Sequence, residues 1–305
     1  MTPLRQALHD YLWIRRQLGF KLKTDGRLLE QFVEFLEQAG AERITVDLAV
    51  RWARLPQGAH PHRWRQRLGM VRGFARYLAT VDPASEVPSV DLLAAHRTRV
   101  APYIYAPAEI RALMAAAREL TPPLRAAAFE TVIGLMAATG LRLGEALGLN
   151  CQDVDLEGGA LHVRAGQTKQ REVPLHPTTI EALESYARLR DRPPHSSGAF
   201  FITGPGRRLT RSVFYDTFPK LRRQAGLEGR GERGHARAHD LRHTFAVRTL
   251  LDWHQAGLDI DKRLPLLSTY LGHLHPDSTY WYLQAVPELL RLVARDLDGA
   301  IEGRP

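Results

Sequence analysis

The sequence predicts a mainly α-helical protein with one small antiparallel β-sheet, arranged as two domains. Three observations carry this. Apolar residues recur at helical spacing through residues 1–80 and in long stretches after 107. A short segment after Asp153 alternates in the manner of strands, and a proline-punctuated connector separates two parts that are each long enough to bury a core. The 305 residues are 44% hydrophobic and 25% charged, the composition of a folded globular chain.

The elements follow in order. Leu4, Leu8, Tyr11 and Leu12 share one face of a first helix, and Thr24 is placed to cap a second carrying Leu28, Leu29, Phe32, Val33 and Leu36. Gly40 breaks the chain, and Thr45 opens a third helix with Ala49, Val50 and Trp52. A fourth, from His62 to Thr80, gathers Trp64, Leu68, Val71, Phe74 and Leu78 on one side. Its other side carries Arg63, Arg65, Arg67, Arg72 and Arg76, a candidate DNA-contacting surface whose plainer alternative is an ordinary solvated face. Between Val81 and Pro107 the periodicity fails and Pro83, Pro88, Pro102 and Pro107 punctuate the chain, so the domains are expected at 1–98 and 99–305.

The second part opens with PAEIRALMAAAREL and TPPLRAAAFETVIGLMAAT, the latter stopped by Gly140 as a C-cap. In DVDLEGGALHVR and REVPLH, joined by a turn at GQTKQ, Leu161, Val163, Val173 and Leu175 alternate as a small antiparallel sheet would require. Helical patterns return in HPTTIEALESYARLRDR, TRSVFYDTFPKLRRQAG and HDLRHTFAVRTLLDWHQAG. A final run, VPELLRLVARDLDG at 286–299, keeps Leu289, Leu290, Val293 and Leu297 on one face, for its own domain's core or a neighbouring protomer.

Composition excludes several classes. The longest uncharged apolar run, Val132 to Leu141, is too short to span a bilayer, and the opening MTPLRQALHDYLWIRR lacks a signal peptide's apolar core. The single cysteine, Cys151, can form neither an internal disulfide nor a cysteine-type zinc site. A cytoplasmic protein without membrane attachment, and held together by neither disulfides nor metal, is expected. Lys+Arg 42 against Asp+Glu 33 leaves +9, and only Lys21, Lys23, Lys169, Lys220 and Lys262 of those cations are lysine. Arginine's planar fork pairs with phosphate and guanine edges, so the favoured partner is nucleic acid, with a coding bias toward arginine as the bland reading.

Four separated features are chemically odd for a helical bundle. Arg142 follows a glycine turn in ATGLRLGEALGL, and Lys169 is the lone lysine between residues 24 and 219, in the hairpin turn. His239 and Arg242 lie three apart in HDLRH, on one helix face, and in LGHLHPDSTYWY His273 precedes Tyr282 by nine positions. Two guanidiniums can clamp the non-bridging oxygens of a phosphodiester as it becomes pentavalent, and a histidine adds a donor. A lysine can protonate a departing oxygen, and a tyrosine in a cationic setting can attack phosphorus. That inventory performs phosphoryl transfer without a metal.

TGLRLGE, KQREVPLH, HDLRHTFA and LGH…TYWY, in this order, resemble the tyrosine recombinases, the family of phage integrases and of Cre-like and Xer-like recombinases. The resemblance covers the second domain; the N-terminal helices are similar to the family's SAM-like core-binding domain in size, position and basic character. It implies that Arg142, Lys169, His239, Arg242, His273 and Tyr282 are catalytic, with Lys169 the general acid, Tyr282 the nucleophile and Glu145 the buttress of Arg142. It further implies cleavage of double-stranded DNA to a 3′-phosphotyrosine and a free 5′-hydroxyl, without ATP, metal or cofactor, in a tetramer on paired recombination sites. Gly166 stands where compact members usually place the lysine, and LDIDKRLPLL lengthens the interval from His239 to His273 as a loop and helix extension.

Other readings stand beside it. A silent DNA-binding accessory protein would share the fold, but all six catalytic candidates are present. A metal-dependent nuclease would use the histidines, yet HDLRH lacks the glutamate of H-E-x-x-H and offers no obvious third ligand to His239 and His243. His243 reads as a structural histidine behind the site.

Overall fold

The computed structural model describes residues 2–93, 102–165, 169–191, 197–204, 206–227, 235–273, 279, 280 and 282, with Ala165 and Lys169 described through their backbone alone. The hairpin turn at 166–168, His275, Trp281 and the run at 286–299 lie outside the described residues. The chain divides into two compact units, Met1–Arg99 and Val100–Pro305.

The first unit is all-helical: α1 (Pro3–Gln17), α2 (Lys23–Gln38), α3 (Val46–Arg54) and α4 (Pro61–Leu78). Their apolar faces meet in one core of Leu8, Leu12, Phe32, Leu36, Trp52, Leu68, Val71 and Phe74, with the Phe32 and Trp52 rings 5.1 Å apart. Thr45 caps α3 as expected, its hydroxyl accepting from the Leu48 amide. Thr24 does not cap α2. The helix starts one residue earlier, at Lys23, and Leu22 holds the cap position in a left-handed conformation without a side-chain bond.

Helix α4 also departs from the expected row of outward arginines. Arg63, Arg65 and Arg76 are exposed, but Arg67 is buried, its guanidinium 3.7 Å over the Trp52 ring and donating to the Trp52 carbonyl at 3.0 Å. Arg72 donates to the carbonyls of Pro88 and Ser89, both at 2.7 Å, and so ties the start of the connector down. An arginine's long stem lets its head turn back onto an aromatic face or a loop carbonyl, which helical spacing cannot show.

The second unit is built around α6 (Pro123–Thr139). This helix is apolar on nearly every side, and most of it is packed by α5 (Pro107–Arg118), α8 (Pro177–Arg190), α10 (Asp240–Gln255) and the strand β4 (Ile202–Gly204). A short α7 (Leu143–Ala146) follows it. A three-stranded antiparallel sheet comes next, β1 (Val154–Asp155), β2 (Ala160–Ala165) and β3 (Lys169–Pro174), in register Leu161 to Val173, Val163 to Arg171 and Ala165 to Lys169. Leu161, Val163 and Val173 are its buried face. The small pair of β4 with β5 (Arg207–Arg208) was not anticipated, because two or three residues leave no periodicity to read. Helices α9 (Arg211–Gln224) and α11 (Ile260–Leu271) complete the unit, α11 taking in most of LDIDKRLPLL. Among the described residues no helix is long and apolar enough to cross a membrane.

Candidate active site

The site is assembled where two glycine turns meet. Gly140 ends α6 at φ +63°, and a Cβ there would lie 2.6 Å from the Phe245 ring and 2.9 Å from Leu271, so both conformation and space call for glycine. Gly272 ends α11 at φ +69°, and a Cβ there would lie 2.7 Å from the Arg171 guanidinium. These turns bring the last carbonyls of two helices to one place. Carbonyls at a helix C-terminus lack intrahelical partners and carry the negative end of the helix dipole, which suits cations.

Three arginines fill that role for α11. Arg171 donates to the Tyr270 carbonyl at 2.8 Å, Arg242 to the Leu271 carbonyl at 2.7 Å, and Arg142 to the Gly272 carbonyl at 3.0 Å. Arg242 also donates to the Gly140 carbonyl at 2.7 Å and is only 1% exposed. Burial, helped by the nearby Arg142 charge, pulls its pKa down to about 10, so it stays charged at neutral pH.

One carboxylate serves two of these cations. Glu145 accepts from the Arg142 amide at 2.9 Å and from its guanidinium at 2.8 Å, and from both terminal nitrogens of Arg171 at 3.1 and 2.9 Å. Burial alone would raise the Glu145 pKa. The Arg171 and Arg142 bonds and charges outweigh it and hold the group at about 2. The Arg142 side chain remains 38% exposed, so a ligand can approach it from solvent.

The histidines and the tyrosine lie beside this cluster. His239 precedes α10 and packs edge-on against His243, ring centres 4.7 Å apart. One edge of His239 is exposed, yet partial desolvation and the Arg242 charge lower its pKa. His273 follows the Gly272 turn, pairs through Nδ1 with the Thr279 hydroxyl at 2.7 Å and stacks near Tyr282 at 6.4 Å. Burial and the Arg242 and Arg142 charges bring it down to about 4. Tyr282 is 2% exposed, and its Oη lies 2.9 Å from His243 Nδ1. Burial pushes the phenol up, while Arg242, which also hydrogen-bonds it, pulls it down. His243, lowered to about 3 by burial and its cationic neighbours, is neutral and shares a hydrogen bond with the Tyr282 hydroxyl.

Of the residues expected from sequence, Arg142, Glu145, His239, Arg242, His273 and Tyr282 come together in this one place. Tyr280 is 44% exposed and Tyr270 stacks on Phe245 at 5.6 Å, so neither shares the position of Tyr282. The Lys169 backbone opens β3, the strand that carries Arg171; its side chain lies outside the described residues. His243, expected as a structural histidine behind the site, bonds the Tyr282 hydroxyl there. Sequence reasoning missed Arg171, although its register opposite Val163 puts it on the sheet's buried face. Among the described residues no group of three or more His, Cys, Asp or Glu could hold a metal ion.

Comparison with known proteins identifies the family. The profile of the Phage integrase family matches residues 105–288, which include every motif named above. The chain is 40% identical over its whole length to the full "Putative integrase/recombinase y4rB" of Sinorhizobium fredii. It is 32% identical to tyrosine recombinase XerC of Stutzerimonas stutzeri, over 90% of this chain and 89% of that one. Among solved structures, the XerH site-specific recombinase bound to a palindromic difH substrate superposes with a TM-score of 0.67 at 21% identity, covering 90% of this chain and 78% of that one. The Tn1549 transposon integrase in complex with transposon right end DNA gives 0.65 at 17% identity, over 92% and 94%. With the profile spanning most of the second unit and a relative matched from end to end, the chain belongs to the phage integrase family of tyrosine recombinases.

Proposed function

We propose that this protein is a site-specific DNA recombinase that cuts and rejoins strands through a covalent 3′-phosphotyrosine. The observation that carries the proposal is the convergence of Arg142, Arg242, His239 and His273 beside the Tyr282 hydroxyl. Arg142 and Arg242 neutralise the non-bridging oxygens of the scissile phosphate, and the neutral rings of His239 and His273 donate N–H bonds to them. The Tyr282 Oη–phosphorus bond forms as the bond to the 5′-oxygen breaks. The phenolic proton departs along the bond to His243, whose basicity rises once an anionic phosphate sits among the cations. Lys169 supplies the proton that the leaving 5′-oxygen takes up. A partner strand's 5′-hydroxyl then attacks the phosphotyrosine, so ATP, metal and cofactor are not needed.

The partner is double-stranded DNA in the cytoplasm, with a tetramer assembled on paired sites. The net charge of +9 and the DNA named in the XerH and Tn1549 structures support this reading. The first unit acts as the core-binding domain, Arg63, Arg65 and Arg76 facing phosphates. The test is a nicked suicide duplex, carrying the sequence the protein enriches from a random library, incubated in EDTA. A protein–DNA adduct linked through Tyr282 is expected; no adduct, or one that depends on added metal, overturns the proposal.

A further inference from the structure

Arg171 presents a physical problem that the proposed chemistry does not use. The register of β2 with β3 sets it opposite Val163, two positions from Val173, on the face of the sheet that packs into the core. A permanent cation there is unfavourable unless its donors are matched, and this side chain is only 13% exposed. Each of its three nitrogens has a partner: two donate to Glu145 and one to the Tyr270 carbonyl. The absent side chain of Gly272 makes the room, since a Cβ there would crowd Arg171 Nη1 at 2.7 Å. A strand, a four-residue helix and the end of α11 are thereby joined through one guanidinium.

We propose that Arg171 is a positioning residue that aims Arg142 at the scissile phosphate by fixing the rotamer and charge of the carboxylate between them. This rests on the reading of Arg142 given above. Glu145 could reach Arg142 in several rotamers; the parallel pair of bonds from Arg171 selects one and keeps it ionised, in line with its pKa of about 2. The Tyr270 contact holds Arg171 itself to α11, whose next two carbonyls receive Arg242 and Arg142. Lysine cannot replace it, because one ammonium cannot make two parallel bonds to a carboxylate and a third in the opposite direction. Arg171 touches no reacting atom, so its effect passes through Glu145 to Arg142.

The test is a double-mutant cycle on single-turnover adduct formation, using the full-length chain and the nicked duplex described above. Arg171→Gln is expected to slow adduct formation about tenfold or more at saturating DNA, the cost of a misaimed catalytic group. In an Arg142→Lys background the same replacement is expected to cost less than about twofold, because the aim it secures is already lost. Equal cost in both backgrounds would make Arg171 a plain fold stabiliser and overturn the inference, as would no cost in either. If Arg142→Lys itself reacts at the wild-type rate, the reading of Arg142 has failed, and the cycle shows that before Arg171 enters. Should Arg171→Gln not fold, Arg171→Lys replaces it with the same expected pattern: a slowed rate, and little further loss beside Arg142→Lys.

Discussion

Two arginines, one in each unit, are almost wholly buried and hold opposite meanings. Arg67 lies under the Trp52 ring with a backbone carbonyl as its partner, and its Nε has no hydrogen-bond partner among the described residues. Arg242 likewise donates to backbone carbonyls, but its surroundings are Arg142, Glu145, Arg171, His273 and Tyr282. In both, burial lowers the guanidinium pKa. What differs is the company. Arg67 sits among apolar groups that can do no chemistry, whereas Arg242 shares its space with titratable groups that can. A buried arginine is therefore no sign of function by itself; a buried arginine among groups of perturbed pKa is.

The largest effect should separate those two residues outright. Tyr282→Phe is expected to abolish the covalent adduct while leaving DNA binding intact. Arg242→Ala or Arg142→Ala should slow adduct formation by about 10² or more, the scale of losing a charged transition-state donor. Arg67→Met should leave the rate per folded molecule unchanged. A cleavage defect in Arg67→Met, with Arg242→Ala unaffected, would reverse the comparison and move the site to the first unit.

Lys169 comes next. Replacing the bridging 5′-oxygen of the substrate by sulfur yields a leaving thiolate that needs no proton. Lys169→Ala is expected to lose about 10² or more on ordinary DNA, the range of general acid catalysis, and to recover nearly all of it on the sulfur substrate. Equal impairment on both would assign the proton to another donor, with His239 the next candidate to test.

Much of this was legible in the chain. His239 and Arg242 are three apart, so one helical turn brings them together and spacing alone reveals them, whereas Glu145 beside Arg142 came from the family resemblance. Arg171 was harder, since its partners are 26 and 99 residues away. A signal did exist: Val173 and Leu175 define an inward phase, and Arg171 falls in that phase, where an unpaired cation is not tolerated. The His243 contact could not have been found this way, because its partner Tyr282 is 39 residues away and shares no element with it. The failed Thr24 cap and the inward turn of Arg67 share one cause. Local pattern names a surface, and tertiary contacts decide which side chains stay on it.

Salt dependence sharpens the comparison within α4. Each phosphate contact contributes about 0.9 to the slope of log affinity against log salt. Replacing Arg63, Arg65 or Arg76 by Gln is expected to lower that slope by about one apiece if they face DNA, whereas Arg67→Met leaves it alone. Arg67→Met should also change unfolding stability by less than about 1.5 kcal/mol, because an apolar chain of similar length replaces a poorly paired buried cation. A slope that falls with Arg67→Met would mean that this side chain leaves Trp52 to reach phosphate.

The smallest effect concerns pH, and its sign follows from which form the fold protects. His243 and His273 are held at about 3 and about 4, against an ordinary value near 6.5, so the folded state keeps them neutral while the unfolded chain takes up protons. Stability from this source is complete above about 6.5 and is lost as pH falls toward the folded values. Between pH 7 and pH 5 each ring should cost of order 1–2 kcal/mol, together a drop of several degrees in the second unit's melting transition. Glu145, held at about 2, stays ionised in the fold throughout that window, and its contribution grows only near and below pH 5, where the unfolded carboxylate begins to take up protons. His243→Asn keeps an acceptor for the Tyr282 hydroxyl but cannot titrate. It should remove the His243 share of the acid-side loss, leaving the parts that belong to His273 and His239. A melting profile between pH 7 and pH 5 that is as steep in His243→Asn as in the wild type would show that His243 is not held neutral by the fold. The Tyr282 hydroxyl would then face a protonated ring, with Arg242 left as the group that orients it.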